Sequence, residues 1–377
     1  MGLLVERPLL TRLPLLLLAA ACLVSGLWAG LARAGIPTSP PALMTALHGA
    51  LMVPGFFAAL ISLERAVAVG LRWAYLAPLL AAVGCLSAAL GAPATVALFL
   101  VGGASAVLTA ASTVALRRMP ELFTGVMLAG ASALVGGNLV WLLTGAPTPA
   151  TLLWMAFLVL TIAAERLELS RLQPRTRGAE RLFLVAVALV FTGAVMHVVA
   201  ADAGARLVGV GLLATSWWLV RHDLARRTVR LSGLPRYTAV CLLSGYAWLF
   251  LGGVMLLATG LPPAGLLRDA TLHAVFLGFV MPMVFGHAPI ILPAILQVAV
   301  PFHRALHLPL VVLHLSVAAR VGADLAGHPG ARTVASVANV AALGLFVVTV
   351  LVSRRVQAAR PVNPVDAWRP GAGAARG

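Results

Sequence analysis

A histidine followed by a glycine stands within a long apolar stretch of the chain. His48 lies in the run Met44-Thr-Ala-Leu-His-Gly-Ala-Leu-Met52. A neutral imidazole in such a segment either forms a hydrogen bond to a neighbouring helix or binds zinc, copper or haem iron. Gly49 removes a side chain beside the imidazole, which leaves room for a planar macrocycle or another helix. Met52, one turn later, shares the same helical face. The motif leaves ligation and a cross-helix hydrogen bond equally open.

Two more histidines lie in a stretch rich in glycine and proline. The run begins Asp269-Ala-Thr-Leu-His273 and ends Phe285-Gly-His287-Ala-Pro289. Fourteen residues separate His273 from His287, a rise of about 21 Å along a helix, so they cannot bind one metal ion. Prolines free backbone carbonyls, which spanning helices tolerate where they face partners or a cavity. The stretch is therefore either a kinked packing helix or a helix with two separate ligands.

A third stretch holds His307 and His314, seven residues apart on one helical face. They lie about 10 Å apart along the helix, and we expect them near the level of His287. The three together form a candidate metal site. Further along, Arg320 either pairs with Asp324 one turn later or faces an anion such as a haem propionate, because a guanidinium matches carboxylate geometry.

These residues belong to a chain that is too apolar for a soluble domain of its size. Of its 377 residues, 61% are hydrophobic and 10% are charged, and the mean hydropathy is +1.01. Runs of about 20 apolar residues match the hydrocarbon thickness of a bilayer, and they are continuous rather than alternating, which indicates helices rather than strands. We predict an all-α polytopic bundle of about twelve spans in residues 1–353. Residues 354–377 form a predicted disordered cytoplasmic tail.

The distribution of arginine predicts the orientation of these spans. The predicted spans are 12–32, 42–62, 73–91, 95–116, 122–144, 149–165, 182–201, 205–221, 238–259, 269–293, 305–324 and 333–353. Most arginines follow even-numbered spans, which predicts that those loops and both termini are cytoplasmic. This orientation signal explains the net charge of +16 without nucleic acid. The other loops hold only the isolated basic residues Arg33, Arg206, Arg268 and Arg332.

In this orientation, the histidines separate into two groups by depth. His48 and His273 lie near the outer face, with His197 and Arg320 nearby. His287, His307 and His314 lie toward the inner face. No phosphate loop, nucleophile elbow, HExxH or paired-carboxylate motif appears in the chain. No catalytic residue is therefore predicted, and whether the protein is an enzyme stays open.

Two known families share residues with these stretches. The run Leu47-His48-Gly49-x-x-Met52, with Phe56-Phe57 beyond it, resembles the second span of haem-copper oxidase subunit I, where the histidine is a haem ligand. The pattern Asp269-x-x-x-His273-Ala, Gly278, Met283 and Gly286-His287, with Ala319-Arg320-Val321 later, resembles the C-terminal half of the NnrS family. NnrS proteins are polytopic bacterial inner-membrane proteins that contain haem and copper and are linked to relief of nitric oxide stress.

The resemblance implies an integral membrane haem protein of the bacterial inner membrane, with copper as a second candidate cofactor. His48 and His273 would be haem ligands, with Met52 and Arg320 beside them, and His287 a second metal or haem ligand. The chain has no His-His pair and no His-x-His in its tenth span, so a complete oxidase-type binuclear site is not predicted.

The implied role is in nitrogen-oxide metabolism or nitric oxide tolerance. The expected partners are the lipid bilayer, a small neutral ligand such as nitric oxide, and an electron donor of unknown identity. Two other functions fit the same residues: a transporter of a metal ion or small solute with a histidine-lined path, and a haem-free membrane scaffold. The scarcity of carboxylates inside the spans weighs against cation transport.

Overall fold

The computed structural model describes residues 8–171, 176–297 and 300–358, and every regular element within them is helical. Twelve of the described helices are long and apolar enough to cross a membrane, the number predicted. They are α1 Thr11–Arg33, α2 His48–Val69, α3 Arg72–Ala89, α4 Ala94–Arg118, α5 Leu122–Thr144, α6 Thr148–Leu169, α7 Arg177–Met196, α8 Ala201–His222, α9 Gly233–Thr259, α10 Leu266–Leu296, α11 Arg304–Leu325 and α12 Pro329–Arg355. The final helix continues to Ala358, and the rest of the predicted tail, 359–377, lies outside the described residues.

Two spans begin or end away from their predicted positions. A short helix, Ala42–Ala46, precedes α2 and is separated from it by Leu47, whose φ of −92° and ψ of 12° leave the helical region. His48 is therefore the first residue of α2, rather than several residues inside a span beginning at residue 42. Similarly, α7 ends at Met196, so His197 lies in a connection and not in a span.

The twelve helices pack mainly against their neighbours in sequence, and α6 forms the interior of the bundle. Within the most apolar window of α6, 89% of the residues are buried, against 22% for α1, so α1 lies at the periphery. Four helix contacts matter for the site. The central helix α6 touches both α2 and α10, and α1 packs along α2 and α3. Helices α2 and α10, which carry His48 and His273, thus meet beside the core helix.

Both histidine-bearing helices contain a π-helical segment just after the histidine. In α2 it covers Leu51–Phe57, and in α10 it covers Ala274–Val280. Pro54 lies in the first segment and has no N–H, which leaves the carbonyl of Ala50 without its usual helical donor. The thiol of Cys85 on α3 donates to that carbonyl at 3.4 Å. Single π-helical turns occur frequently at functional sites, and here both adjoin the same cavity.

Candidate functional site

A cavity opens at the end of the bundle where α1 and α11 end and α2, α6, α10 and α12 begin. The cavity has a volume of about 180 Å³ and is partly open to the outside. This volume is below the range of about 300–1000 Å³ that is typical of ligand pockets. His48 and His273 both line it, as do Met52 and Arg320. The four residues predicted for a cofactor site therefore share one cavity.

His48 is held by the neighbouring helix α1. Its Nδ1 lies 2.7 Å from the carbonyl oxygen of Gly26. A carbonyl can only accept, so Nδ1 carries the hydrogen and Nε2 is the unprotonated nitrogen of the neutral ring. Helix α1 approaches closely because Gly30 faces the imidazole: a Cβ at that position would lie 2.9 Å from Cε1 of His48.

His273 has the same arrangement on α10. Its Nδ1 donates to the carbonyl oxygen of Asp269, one turn earlier, at 2.8 Å, and Oδ2 of Asp269 lies 3.3 Å from the same nitrogen. Among the described residues, neither His48 nor His273 has a hydrogen-bond partner for Nε2. A backbone carbonyl at Nδ1 with a free Nε2 is the arrangement in which metal-binding histidines are held.

The two imidazole rings lie close together and nearly parallel. Their centroids are 6.4 Å apart and their planes differ by 23°. Two imidazoles that bind one metal ion from opposite sides, with metal–nitrogen bonds of about 2.0–2.1 Å, have ring centres roughly 6 Å apart. The separation therefore leaves room for one metal ion between the rings. The alternative interpretation of His48 was a hydrogen bond across a helix interface. The bond from Nδ1 to Gly26 of α1 is such a bond, but it leaves Nε2 of His48 unexplained.

Apolar side chains form much of the rest of the wall. Leu27 and Leu31 come from α1, and Phe57 and Phe276 come from the two histidine helices. Met52 lies against α1, because a Cβ at Gly26 would come within 2.7 Å of its Sδ. A Cβ at Gly49, by contrast, would meet no atom within 4 Å. Gly49 therefore leaves open space beside the imidazole, as the sequence suggested.

A network of charges lies behind His273. Arg320 donates to Oδ2 of Asp269 from Nε at 3.1 Å and from Nη2 at 2.9 Å. Arg332 of α12 approaches Oδ1 of Asp269 at 3.4 Å and Oδ1 of Asp324 at 3.1 Å. The predicted pairing of Arg320 with Asp324 was wrong, because the carboxylate of Asp269 on α10 reaches the guanidinium first. The network joins α10, α11 and α12 behind the cavity.

The other three histidines do not come together. Nε2 of His287 lies 2.6 Å from Nη2 of the buried Arg166, and its Nδ1 donates to its own helix at 2.7 Å. His314 accepts at Nδ1 from Trp248, at 3.0 Å, so its Nε2 donates to Ser244, at 2.8 Å. His307 packs edge-on to Tyr237.

These contacts bear on the predicted inner metal site. His287 and His314 each have both ring nitrogens in hydrogen bonds. Within the part of the chain that the structure describes, no group of three or more His, Cys, Asp or Glu could hold a metal ion.

Sequence reasoning missed two residues of the cavity as site residues. Arg33, at the end of α1, and Arg268, near the start of α10, both line it. They are two of the four basic residues that stand on the arginine-poor side of the predicted topology. Basic residues of membrane proteins concentrate in cytoplasmic loops. An arginine in a loop predicted to lie on the other side was therefore the signal in the sequence that could have pointed to these two residues.

Comparison with known proteins gives one match. A family model described as "Domain of unknown function (DUF8744)" matches residues 12–355. No curated protein and no solved structure matches the chain.

Proposed function

The chain belongs to this family of unknown function, and we propose that it is an integral membrane haem protein in which His48 and His273 would bind the haem iron. The observation that carries the proposal is the pair of imidazoles 6.4 Å apart. Each has a carbonyl at Nδ1 and an Nε2 without a partner among the described residues. Neither Nε2 is therefore engaged by the described residues, and the centroid distance matches that of two imidazoles that share one metal ion.

The donor set favours haem over a bare metal ion. Two imidazoles alone leave a zinc ion short of ligands, since structural zinc sites commonly supply four. No third His, Cys, Asp or Glu joins the pair among the described residues. Haem brings its own equatorial nitrogens and needs only axial ligands from the protein. The cavity beside the rings is partly apolar and carries arginines at its edge, which suits an amphipathic macrocycle.

Different residues of the chain would bind the iron, orient its ligands and exclude water. His48 and His273 would hold the iron, while the carbonyls of Gly26 and Asp269 orient the two rings. Leu27, Leu31 and Phe57 keep water from one side of the cavity. Bound there, haem would supply an iron that exchanges single electrons. Two histidine ligands would favour electron transfer over the binding of a further ligand.

The setting of the site follows from the arginine distribution and the resemblance to NnrS proteins. Both termini would face the cytoplasm of a bacterial inner membrane, which puts the cavity near the outer face. A neutral molecule such as nitric oxide could enter it from the bilayer. The role supported by that resemblance is in nitrogen-oxide metabolism or nitric oxide tolerance, with an electron donor yet to be identified. Copper gains no support, because His287 and His314 are already engaged.

A reduced-minus-oxidised visible spectrum of the protein purified in detergent tests the proposal. We expect a Soret band with sharp α and β bands in the wild type and their loss in His48→Ala and in His273→Ala. His197→Ala is a matched control. This half-buried histidine at the same end of the bundle bonds only to the carbonyl of Ala201 among the described residues, and its variant should keep the spectrum. A colourless protein from cells supplied with haem would overturn the proposal and favour a transporter or a scaffold.

A further inference from the structure

The charges that line the cavity do not balance. Arg33, Arg268 and Arg320 line it together with one carboxylate, Asp269. That carboxylate binds Arg320 and Arg332. Two cations therefore remain at the cavity without a carboxylate partner among the described residues.

Arg268 is held rigidly by neutral groups. Its Nη1 donates to the carbonyl of Pro262 at 2.9 Å, and its Nη2 donates to the carbonyl of Thr148 at 3.2 Å and to the hydroxyl of Thr151 at 3.0 Å. A guanidinium has five N–H groups, so Nε and one hydrogen of Nη1 remain available. The three acceptors fix the plane of the guanidinium and leave its charge uncompensated.

Arg33 is exposed at the last turn of α1 and also lines the cavity. None of the described residues forms a hydrogen bond or an ion pair with its side chain. Its charge lies close enough to Arg268 to repel it. Two repelling guanidinium groups at the edge of a partly apolar cavity are costly together unless an anion lies between or beside them.

We propose that Arg268 and Arg33 bind the acidic groups of the ligand in this cavity. The ligand is thus an amphiphile with carboxylates along one edge and an apolar body that lies among the leucine and phenylalanine side chains. Guanidinium groups bind carboxylates through paired, charge-assisted hydrogen bonds. This inference rests on the proposed function, in which the ligand is haem and the carboxylates are its two propionates. It assigns the propionates to Arg268 and Arg33 rather than to Arg320, whose charge Asp269 already neutralises.

Haem and its dimethyl ester separate this inference from the proposed function. The ester keeps the iron and the macrocycle but has no carboxylates. We would titrate the full-length protein, produced without haem and purified in detergent, with each compound and follow the Soret absorbance. The wild type should bind haem roughly 10- to 100-fold more tightly than the ester, the range expected for charge-assisted hydrogen bonds.

The arginine variants should remove this preference. Arg33→Gln should reduce the ratio of the two affinities, and Arg268→Gln should reduce it further, both by weakening haem binding while ester binding is unchanged. The side chain of Arg33 forms no hydrogen bond or ion pair with the described residues, so Arg33→Gln should fold even if Arg268→Gln does not. Arg268→Lys keeps the positive charge but loses the paired N–H donors of the guanidinium. Its ratio of haem affinity to ester affinity should lie between those of the wild type and Arg268→Gln. Arg206→Gln, which changes an exposed arginine paired with Asp202, should leave the ratio unchanged.

The outcomes are distinct for the two proposals. A wild type that binds haem and ester equally overturns the assignment of Arg268 and Arg33 and leaves the histidine site standing. Arginine variants that fold and keep the full preference for haem over the ester also overturn this assignment without affecting the histidine site. A wild type that binds neither compound overturns both proposals.

Discussion

The carboxylate of Asp269 on α10 accepts two hydrogen bonds from Arg320 of α11, at 3.1 and 2.9 Å. The backbone carbonyl of the same residue, Asp269, orients His273. The side chains of both residues are largely buried, with 13% of Asp269 and 9% of Arg320 exposed. One residue therefore connects the packing of three helices to the orientation of a proposed ligand.

Asp269→Asn should destabilise the fold strongly. The substitution removes the negative charge shared by Arg320 and Arg332, and breaking a buried ion pair typically costs about 3–5 kcal/mol because the remaining charge is left unpaired. Thermal unfolding in detergent measures the effect.

Asp202→Asn is the matched control for this change. It breaks an ion pair of the same kind with Arg206, but both side chains are well exposed, at 67% and 43%. Exposed pairs contribute little to stability, so the unfolding temperature should not change measurably. Equal effects of the two substitutions would contradict the structural role assigned to Asp269.

Gly30→Ala should weaken cofactor binding more than it affects folding. The added methyl group would lie 2.9 Å from Cε1 of His48, so the ring must move and its bond to Gly26 must lengthen. Changes in the groups that orient a ligating histidine typically cost 10- to 100-fold in affinity, roughly the loss expected here. Haem titration of the apoprotein measures it.

Gly102→Ala serves as the comparison for Gly30→Ala. It introduces the same methyl group within α4, where nothing lies within 4 Å. It should leave haem affinity unchanged and raise stability by about 0.5–1 kcal/mol, since glycine is unfavourable inside a helix. If Gly30→Ala bound haem as well as Gly102→Ala, α1 would not position His48.

The space beside Gly49 allows a size test at a single position. Gly49→Ala should keep its cofactor, because the new methyl group meets no atom within 4 Å. Gly49→Phe should lose it, since the larger ring occupies the cavity beside His48. The ratio of haem to protein in purified samples measures both. A full haem content in Gly49→Phe would show that the ligand does not use this space.

Metal analysis should find iron without stoichiometric copper. Because both ring nitrogens of His287 and His314 take part in hydrogen bonds, His287→Gln and His314→Gln should keep the haem spectrum and the iron content. One copper ion per chain that disappears in either variant would restore the metal site predicted from the sequence.

That His48 and His273 lie at the same end of the bundle could be predicted from the sequence, whereas the partners of the other three histidines could not. The arginine distribution assigned His48 and His273 to the same face, and the structure brings them to the same cavity. It assigned His287, His307 and His314 to the other face too, but their partners are Arg166, Tyr237, Trp248 and Ser244 on other helices. Which helices are in contact depends on side-chain packing across the bundle. The sequence pattern of a single span carries no information about that packing.

The prediction for Arg320 failed for a related reason. Spacing along one helix favours Asp324, but a buried guanidinium binds whichever carboxylate offers the better geometry, and that carboxylate comes from α10. The start of α2 was missed because Leu47 interrupts the helix without a proline or glycine at that position. By contrast, the number of spans could be predicted because it depends only on the length and hydropathy of each run.

The cavity draws its walls from both ends of the polypeptide, since α1 and α2 contribute one side and α10, α11 and α12 the other. A ribosome delivers these helices in order, so His48 enters the membrane long before His273 is synthesised. The pocket does not exist until the last helix has been inserted. A ligand of this cavity would therefore enter a finished fold through the open side, and its loading would be a separate step that follows synthesis.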